Sequence, residues 1–196
     1  MDEPDLDYQM KSSGISFVIE GSINELVCLV NEAKELFLWN PTVRKYKKLP
    51  DFETKSSNDG HFIYGFGYDE IHDDYKVVRI FSIKGRLHDF QEVNMYSLMN
   101  NSWRKVHCYR NGTRLIGSGK FVNGKLYSAT TASLGMKRGW SITSFDLVDE
   151  KWRIVERPCH GEGDDVLVLG VLGRSRSAPV HQLSTRNEGG SLKLKE

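Results

Sequence analysis

Three stretches of this 196-residue chain, spaced about fifty residues apart, share one pattern: an aromatic residue followed seven positions later by another, with a polar turn between them. Trp39 and Tyr46 flank Asn40-Pro-Thr-Val-Arg-Lys. Tyr96 and Trp103 flank Ser97-Leu-Met-Asn-Asn-Ser, and Phe145 and Trp152 flank Asp146-Leu-Val-Asp-Glu-Lys. Each reads as a strand ending on one aromatic, a turn, and a second strand opening on the other. The second aromatics lie 57 and 49 residues apart. A period of ~50 residues is too long for a hairpin array and suits sheets repeated around an axis.

Runs of strand length fill the rest of the chain: 15–20, 26–30, 36–39, 62–68, 75–82, 90–98, 103–107, 115–122, 125–130, 141–147, 152–155 and 166–172. They are rich in Val, Ile, Phe, Tyr and Trp and are punctuated by Gly, Asn, Asp and Pro, so the chain is all-β with many short antiparallel strands. Similar strands precede two of the hairpins, at Gly21-Ser-Ile-Asn-Glu-Leu-Val-Cys-Leu and Phe121-Val-Asn-Gly-Lys-Leu-Tyr-Ser-Ala, the latter with a tight-turn Asn-Gly pair. Each repeat is thus one four-stranded blade, and the expected fold is a kelch-like β-propeller. About three blades are visible where closed rings use about four to eight, so the ring is incomplete. The structural residues of the repeat are Trp39, Asn40, Pro41, Tyr46, Tyr96, Trp103, Phe145 and Trp152, with the aromatics expected to pack between blades.

Three segments are expected: an N-terminal spacer over 1–20, the propeller-like domain over 21–173, and a disordered basic tail over 174–196 with five Lys or Arg against two acidic residues. Lys plus Arg number 27 and Asp plus Glu 26, a net +1 that gives no broad footprint for nucleic acid. No run approaches the ~20 apolar residues of a membrane span. The acidic start lacks the pattern of a secretion signal, and three cysteines, Cys28, Cys108 and Cys159, form no disulfide framework. The expected setting is the cytoplasm or nucleus, with neither nucleic acid nor membrane as partner.

Sites of chemistry are hard to find. Gly119-Lys120 lacks the P-loop spacing, and Ser118, in Ile116-Gly-Ser-Gly-Lys, lacks the nucleophile-elbow pattern. His107-Cys108 and Cys159-His160 could together supply four zinc ligands, but their spacing matches no finger or ribbon, and neighbours on a strand point to opposite faces. Glu162-Gly-Asp-Asp lacks the calcium-loop arrangement. His72-Asp73-Asp74 reads as a turn rather than an acid/base pair, and Arg44-Lys45-Tyr46-Lys47-Lys48 as the wet face of an edge strand. No catalytic residue, metal ligand or cofactor is assigned.

Six motifs in order carry a family resemblance over roughly 21–173. They are Gly21-Ser-Ile-Asn-Glu-Leu-Val-Cys-Leu, the stretch from Leu38-Trp-Asn-Pro through Leu49-Pro, and Gly65-Phe-Gly-Tyr-Asp with Asp74-Tyr-Lys-Val-Val-Arg. The others are Val93-Asn-Met-Tyr-Ser-Leu through Ser102-Trp-Arg, Phe121-Val-Asn-Gly-Lys-Leu, and Ser144-Phe-Asp-Leu-Val-Asp-Glu-Lys-Trp. Together they resemble the plant F-box-associated domain, type 1, of F-box/kelch-repeat and S-locus F-box proteins. The resemblance implies a noncatalytic domain that captures a protein substrate for a cullin-based (SCF) ubiquitin ligase. The Skp adaptor and cullin would be reached only through an F-box, for which residues 1–20 are too few, and the family's pattern would continue beyond Gly173. Binding is expected on rim loops at 51–61, 109–113 and 131–138, because loops vary while sheets stay packed. Two competing readings are a kelch-like metal-dependent oxidase or hydrolase, and a nonfunctional truncated fragment.

Overall fold

The computed structural model describes residues 15–52, 60–83, 91–107, 113–132, 140–155, 168–172, 182–187 and 190–194. The described residues form strands and turns without a helix. The first blade is β1 (Phe17–Ile23), β2 (Leu26–Asn31), β3 (Leu36–Asn40) and β4 (Lys45–Lys48), hydrogen-bonded in that order. The second is β5 (Gly60–Asp69), β6 (Asp74–Ile83), β7 (Gln91–Ser97) and β8 (Ser102–Val106). The third is β9 (Thr113–Val122), β10 (Lys125–Ala132), β11 (Trp140–Asp146) and β12 (Trp152–Val155). A three-stranded sheet follows: β13 (Val168–Leu172), β14 (Gln182–Asn187) and β15 (Gly190–Leu194).

This is the expected incomplete propeller of three antiparallel four-stranded blades, and each aromatic pair is a cross-strand neighbour: Trp39↔Tyr46, Tyr96↔Trp103 and Phe145↔Trp152. The backbone repeats with them. Arg44, Asn101 and Glu150 each stand two residues before the outer aromatic, and all three take positive φ, at 53°, 49° and 57°. The turn geometry therefore recurs even where its sequence does not.

Two boundaries differ from expectation. β1 begins at Phe17, inside the stretch read as a spacer, and pairs with β2 from Phe17 to Ile23 on either side of one bulge. Residues 174–196, read as a disordered tail, contain β14 and β15, which pair antiparallel with Asn187 opposite Gly190. The Ser, Arg, Gly and Lys composition gave no strand signal there, and β14 pairs with the edge that β13 offers.

The core lies between blades. Cys28, Val30, Leu36, Leu38 and Leu49 of blade 1 pack against Tyr64, Phe66, Val77 and Tyr96 of blade 2. Ile63, Val78, Ile80, Val93, Met95 and Val106, on the opposite face of blade 2, meet Leu115, Leu126, Phe145 and Leu147 of blade 3. Blade 3 in turn presents Val122, Tyr127, Ala129 and Ile142 to Leu169 of β13. Blades 1 and 2 thus offer a mainly aliphatic face forward, and the backward faces of blades 2 and 3 carry the repeat aromatics Tyr96 and Phe145. Burial with no exposure, followed by the charge of Glu20, pushes the Cys28 thiol up to about 12, so it is an inert core group.

Innermost strands β5 and β9 run parallel and touch at one bridge, Gly65↔Gly119. A Cβ on Gly65 would lie 2.8 Å from Leu126 Cδ1, so glycine sets this approach. The constraint is tighter at Gly67, where a Cβ would lie 2.4 Å from Phe121 Cδ2 and 2.7 Å from Leu147 Cδ1. Gly67→Ala should lower stability by about 1–3 kcal/mol through overpacking, read as a shift in urea midpoint at constant slope. An unchanged midpoint would mean that the blade 2–blade 3 seam is looser than described.

Candidate functional site

Antiparallel alternation sorts the connections onto two rims. The turns β1–β2, β3–β4, β5–β6, β7–β8, β9–β10 and β11–β12 are short and share one rim. Connections 32–35, 49–59, 84–90, 107–112, 133–139 and 156–167 leave the opposite ends of the strands and share the other, and all but the first are longer. All three expected binding stretches, 51–61, 109–113 and 131–138, belong to this long-connection rim. Most of each stretch, at 53–59, 109–112 and 133–138, lies outside the described residues, but its roots do not.

The root of 53–59 is fastened by blade 2. Trp103 donates its indole N–H to the Pro50 carbonyl at 2.7 Å, and the Phe52 ring meets Trp103 edge-on at 6.0 Å. Arg79, 7% exposed, stands beneath with its guanidinium 4.6 Å from the Phe62 ring centre and 5.2 Å from that of Phe52. Rings facing a cation stabilise it through their quadrupoles, which offsets part of the burial that pulls the Arg79 pKa below its ordinary value. The same device recurs one blade on, where Trp152 Nε1 donates to the His107 carbonyl at 3.2 Å, at the root of 108–112.

The short-turn rim is built from side-chain caps. Asn40 Oδ1 accepts from the amides of Thr42 and Val43, at 3.0 and 3.2 Å, and Asp146 Oδ1 does the same for Val148 and Asp149. Pro41 is an exposed turn residue beside Asn40. Asp74, read with His72 and Asp73 as a turn, accepts from Ser97 Oγ at 2.6 Å and the Met99 amide at 2.9 Å. Asp69 is the most elaborate. Its Oδ1 takes the amides of Ile71 and His72, and its Oδ2 takes Lys76 Nζ at 2.5 Å and faces His72 Nδ1 at 2.7 Å. Lys76 also donates to the Leu147 carbonyl of blade 3 at 2.8 Å, which ties two blades together. Burial pushes the Asp69 carboxyl up, but the hydrogen bonds from Lys76 and His72 outweigh it and hold its pKa down at about 2.

Along the axis, where the innermost strands converge, two openings meet near Glu20. One, of about 910 Å³, faces the short-turn rim between Ser22, Tyr68, Glu70, Lys120, Asn123 and Leu169. The other, of about 520 Å³, faces the long-connection rim between His61, Phe62, Leu115, Ile116 and Ser118. Glu20 lines both and is 8% exposed, and its Oε2 accepts a hydrogen bond from Ser118 Oγ across the axis. Sequence reasoning passed over Glu20. Its only signal was an acidic residue inside an otherwise strand-like run, Ile19-Glu20-Gly21.

The repeat aromatics divide. Tyr96, Trp103, Phe145 and Trp152 pack backward onto the preceding blade. Trp39 and Tyr46 occupy the same face of blade 1, but no described blade precedes it. Tyr46 is 45% exposed, and Trp39 Nε1 is buried without a hydrogen-bond partner. Phe17, Phe37 and Tyr46 instead form an aromatic row on that face, with centroids 5.6 and 6.1 Å apart. The basic run spans the turn residue Arg44 and β4, whose four residues are all exposed, with Lys48 paired to Glu35. Of the four residues weighed for zinc, only His107 is described. Among the described residues no three His, Cys, Asp or Glu side chains are grouped to hold a metal.

Against known proteins, residues 3–169 match the family model for an F-box associated beta propeller domain. The chain is 33% identical over 162 residues to the F-box/kelch-repeat protein At3g23880 of Arabidopsis thaliana, covering 80% of this chain and 43% of that protein. It is 31% identical over 192 residues to the F-box protein CPR1 of the same plant, covering 86% of this chain and 46% of the relative. It therefore spans less than half the length of either relative. A crystal structure of the N-terminal domain of Nup159 superposes with a TM-score of 0.42 at 9% identity, over 93% of this chain and 50% of that one.

Proposed function

From the premise that this chain belongs to the F-box associated β-propeller domain family, we propose that it is the protein-recognition part of an F-box substrate adaptor, acting without catalysis. The protein it captures is held on the long-connection rim. A Skp adaptor and a cullin are engaged through an F-box in the whole protein, so that the captured protein is ubiquitinated. The setting is the cytoplasm or nucleus. One structural observation supports this above the others: topology gathers the long connections on one rim around an axial opening, while the opposite rim is spent on capped short turns. Rigid sheets with variable loops at one end are a recognition scaffold.

A loop exchange tests it. The chain is fused to an F-box and expressed in plant cells, and proteins whose half-life shortens are identified by quantitative proteomics. Replacing 53–59 or 133–139 with Gly-Ser segments of equal length should restore the half-life of the targets. Replacing Met99 and Asn100 on the opposite rim should leave degradation intact. If the Met99 and Asn100 replacement restored the targets and the long-rim replacements did not, the recognition face would be misplaced.

A further inference from the structure

Glu20 and Ser118 share a peculiarity that neither cavities nor composition would create. β1 pairs regularly with β2 except between Ile19 and Gly21, where the register slips and Glu20 is the extra residue. β9 pairs regularly with β10 except where Tyr127 faces Lys120 and Ala129 faces Ile116, so Gly117, Ser118 and Gly119 stand against Ser128 alone. Gly117 there takes φ +68°. Both are β-bulges, which re-aim a side chain at the expense of ladder pairing and are retained where that aim matters. Two bulges on two different innermost strands turn one carboxylate and one hydroxyl toward each other on the axis.

The carboxylate so placed is poorly met. Asp69, also buried, has an ammonium and two backbone amides, and Asp74 has a hydroxyl and a backbone amide. Glu20 has the Ser118 hydroxyl, and among the described residues no cation pairs with it. A carboxylate accepts at about four positions, so most of those on Glu20 are left for what enters the openings that it lines. Its negative field is felt in the blade 1–blade 2 seam, where after burial it adds to the upward push on Cys28. The opening on the long-connection rim leads to it past Phe62, Leu115 and Ile116, with His61 the one other titratable group among the described residues of that wall.

The geometry points to this opening as the seat of an arginine side chain presented by the captured protein, a refinement that rests on the recognition role proposed above. The stem lies against Ile116 and Leu115, the guanidinium passes Phe62, and its N–H donors reach the free acceptor positions of Glu20. A planar guanidinium is less strongly hydrated than an ammonium and matches a carboxylate in two-point contact, so it suits an apolar slot with a single acid at its base. The specificity of a protease slot for basic side chains rests on the same arrangement.

The test uses the full chain, labelled with ¹⁵N, and n-butylguanidinium as probe, with uncharged n-butylurea as its control. Butylguanidinium should move the amides of Glu20, Gly117 and Ser118 in a saturable way, and butylurea should not. Glu20→Gln, which keeps the shape and the Ser118 contact, should weaken the guanidinium at least tenfold while leaving the melting temperature equal or higher. Ser118→Ala should weaken it less than threefold. Equal response to both probes, unchanged affinity in Glu20→Gln, or a marked drop in that variant's melting temperature would overturn the assignment. In the degradation assay, Glu20→Gln should lengthen the half-life of the targets, and targets degraded as in the parent would overturn the arginine as occupant. Loss of the loop-exchange effect with guanidinium binding intact would remove the recognition role and leave the site standing.

Discussion

Trp103→Ala should cost about 3–5 kcal/mol of unfolding free energy, whereas Tyr46→Ala, at the same position of the repeat, should cost less than about 1 kcal/mol. The two residues follow their turns identically, each two positions after a residue of positive φ. What differs is the neighbour. Trp103 packs against the blade 1–blade 2 core, touches Tyr96 at 5.3 Å between ring centres, and donates to Pro50 across the seam. Tyr46 is nearly half exposed. Trp103→Phe keeps most of the area and loses the indole donor, so about 1 kcal/mol should be missing in that variant. Urea titration of the three variants measures all of this. Similar losses for Trp103→Ala and Tyr46→Ala would mean that something covers blade 1 in solution.

Lys76→Met should be comparably damaging, by about 3–5 kcal/mol, because it leaves Asp69 charged with no cation in a site that excludes water. Side-chain exposure is 7% for Lys76 and 0% for Asp69. The double change Lys76→Met with Asp69→Asn should recover a large part of the loss, since the cost lies in the orphaned partner rather than in the absent bond. The pair also sets an acid limit. With its pKa held at about 2 in the fold against an ordinary value near 4, Asp69 contributes stability that is full above pH ~4 and lost as the pH falls toward 2. The sum is about 2 kcal/mol, absent from the double variant. Stability curves that fall equally with acid in the parent and double variants would assign the acid sensitivity elsewhere.

Both predictions turn on seams between blades, and the seams are what the sequence disclosed least. The seven-residue aromatic spacing and the ~50-residue period announced the hairpins and the blades, because each follows from chain-local rules of alternation and turn chemistry. Asn40 and Asp146 could be read as turn formers for the same reason. The tail could not: Gln182–Asn187 and Gly190–Leu194 lack the strength to signal strands alone and pair because Val168–Leu172 is there to receive them. Nor could the division of the aromatics. Tyr46 and Trp103 hold the same position of the repeat, and only the presence or absence of a preceding blade decides which one is covered.

Local order, then, was written in the chain: all-β, antiparallel, three repeats, capped turns. Long-range order was not, because Lys76 reaches Leu147 over 71 positions and Ser118 reaches Glu20 over 98. Such partners are chosen by how one twisted sheet stacks on the next, a geometry no local pattern encodes. A bulge shifts a strand by one residue and exchanges its faces, so Glu20 could turn from strand surface to axis without leaving a trace in the alternation that precedes it.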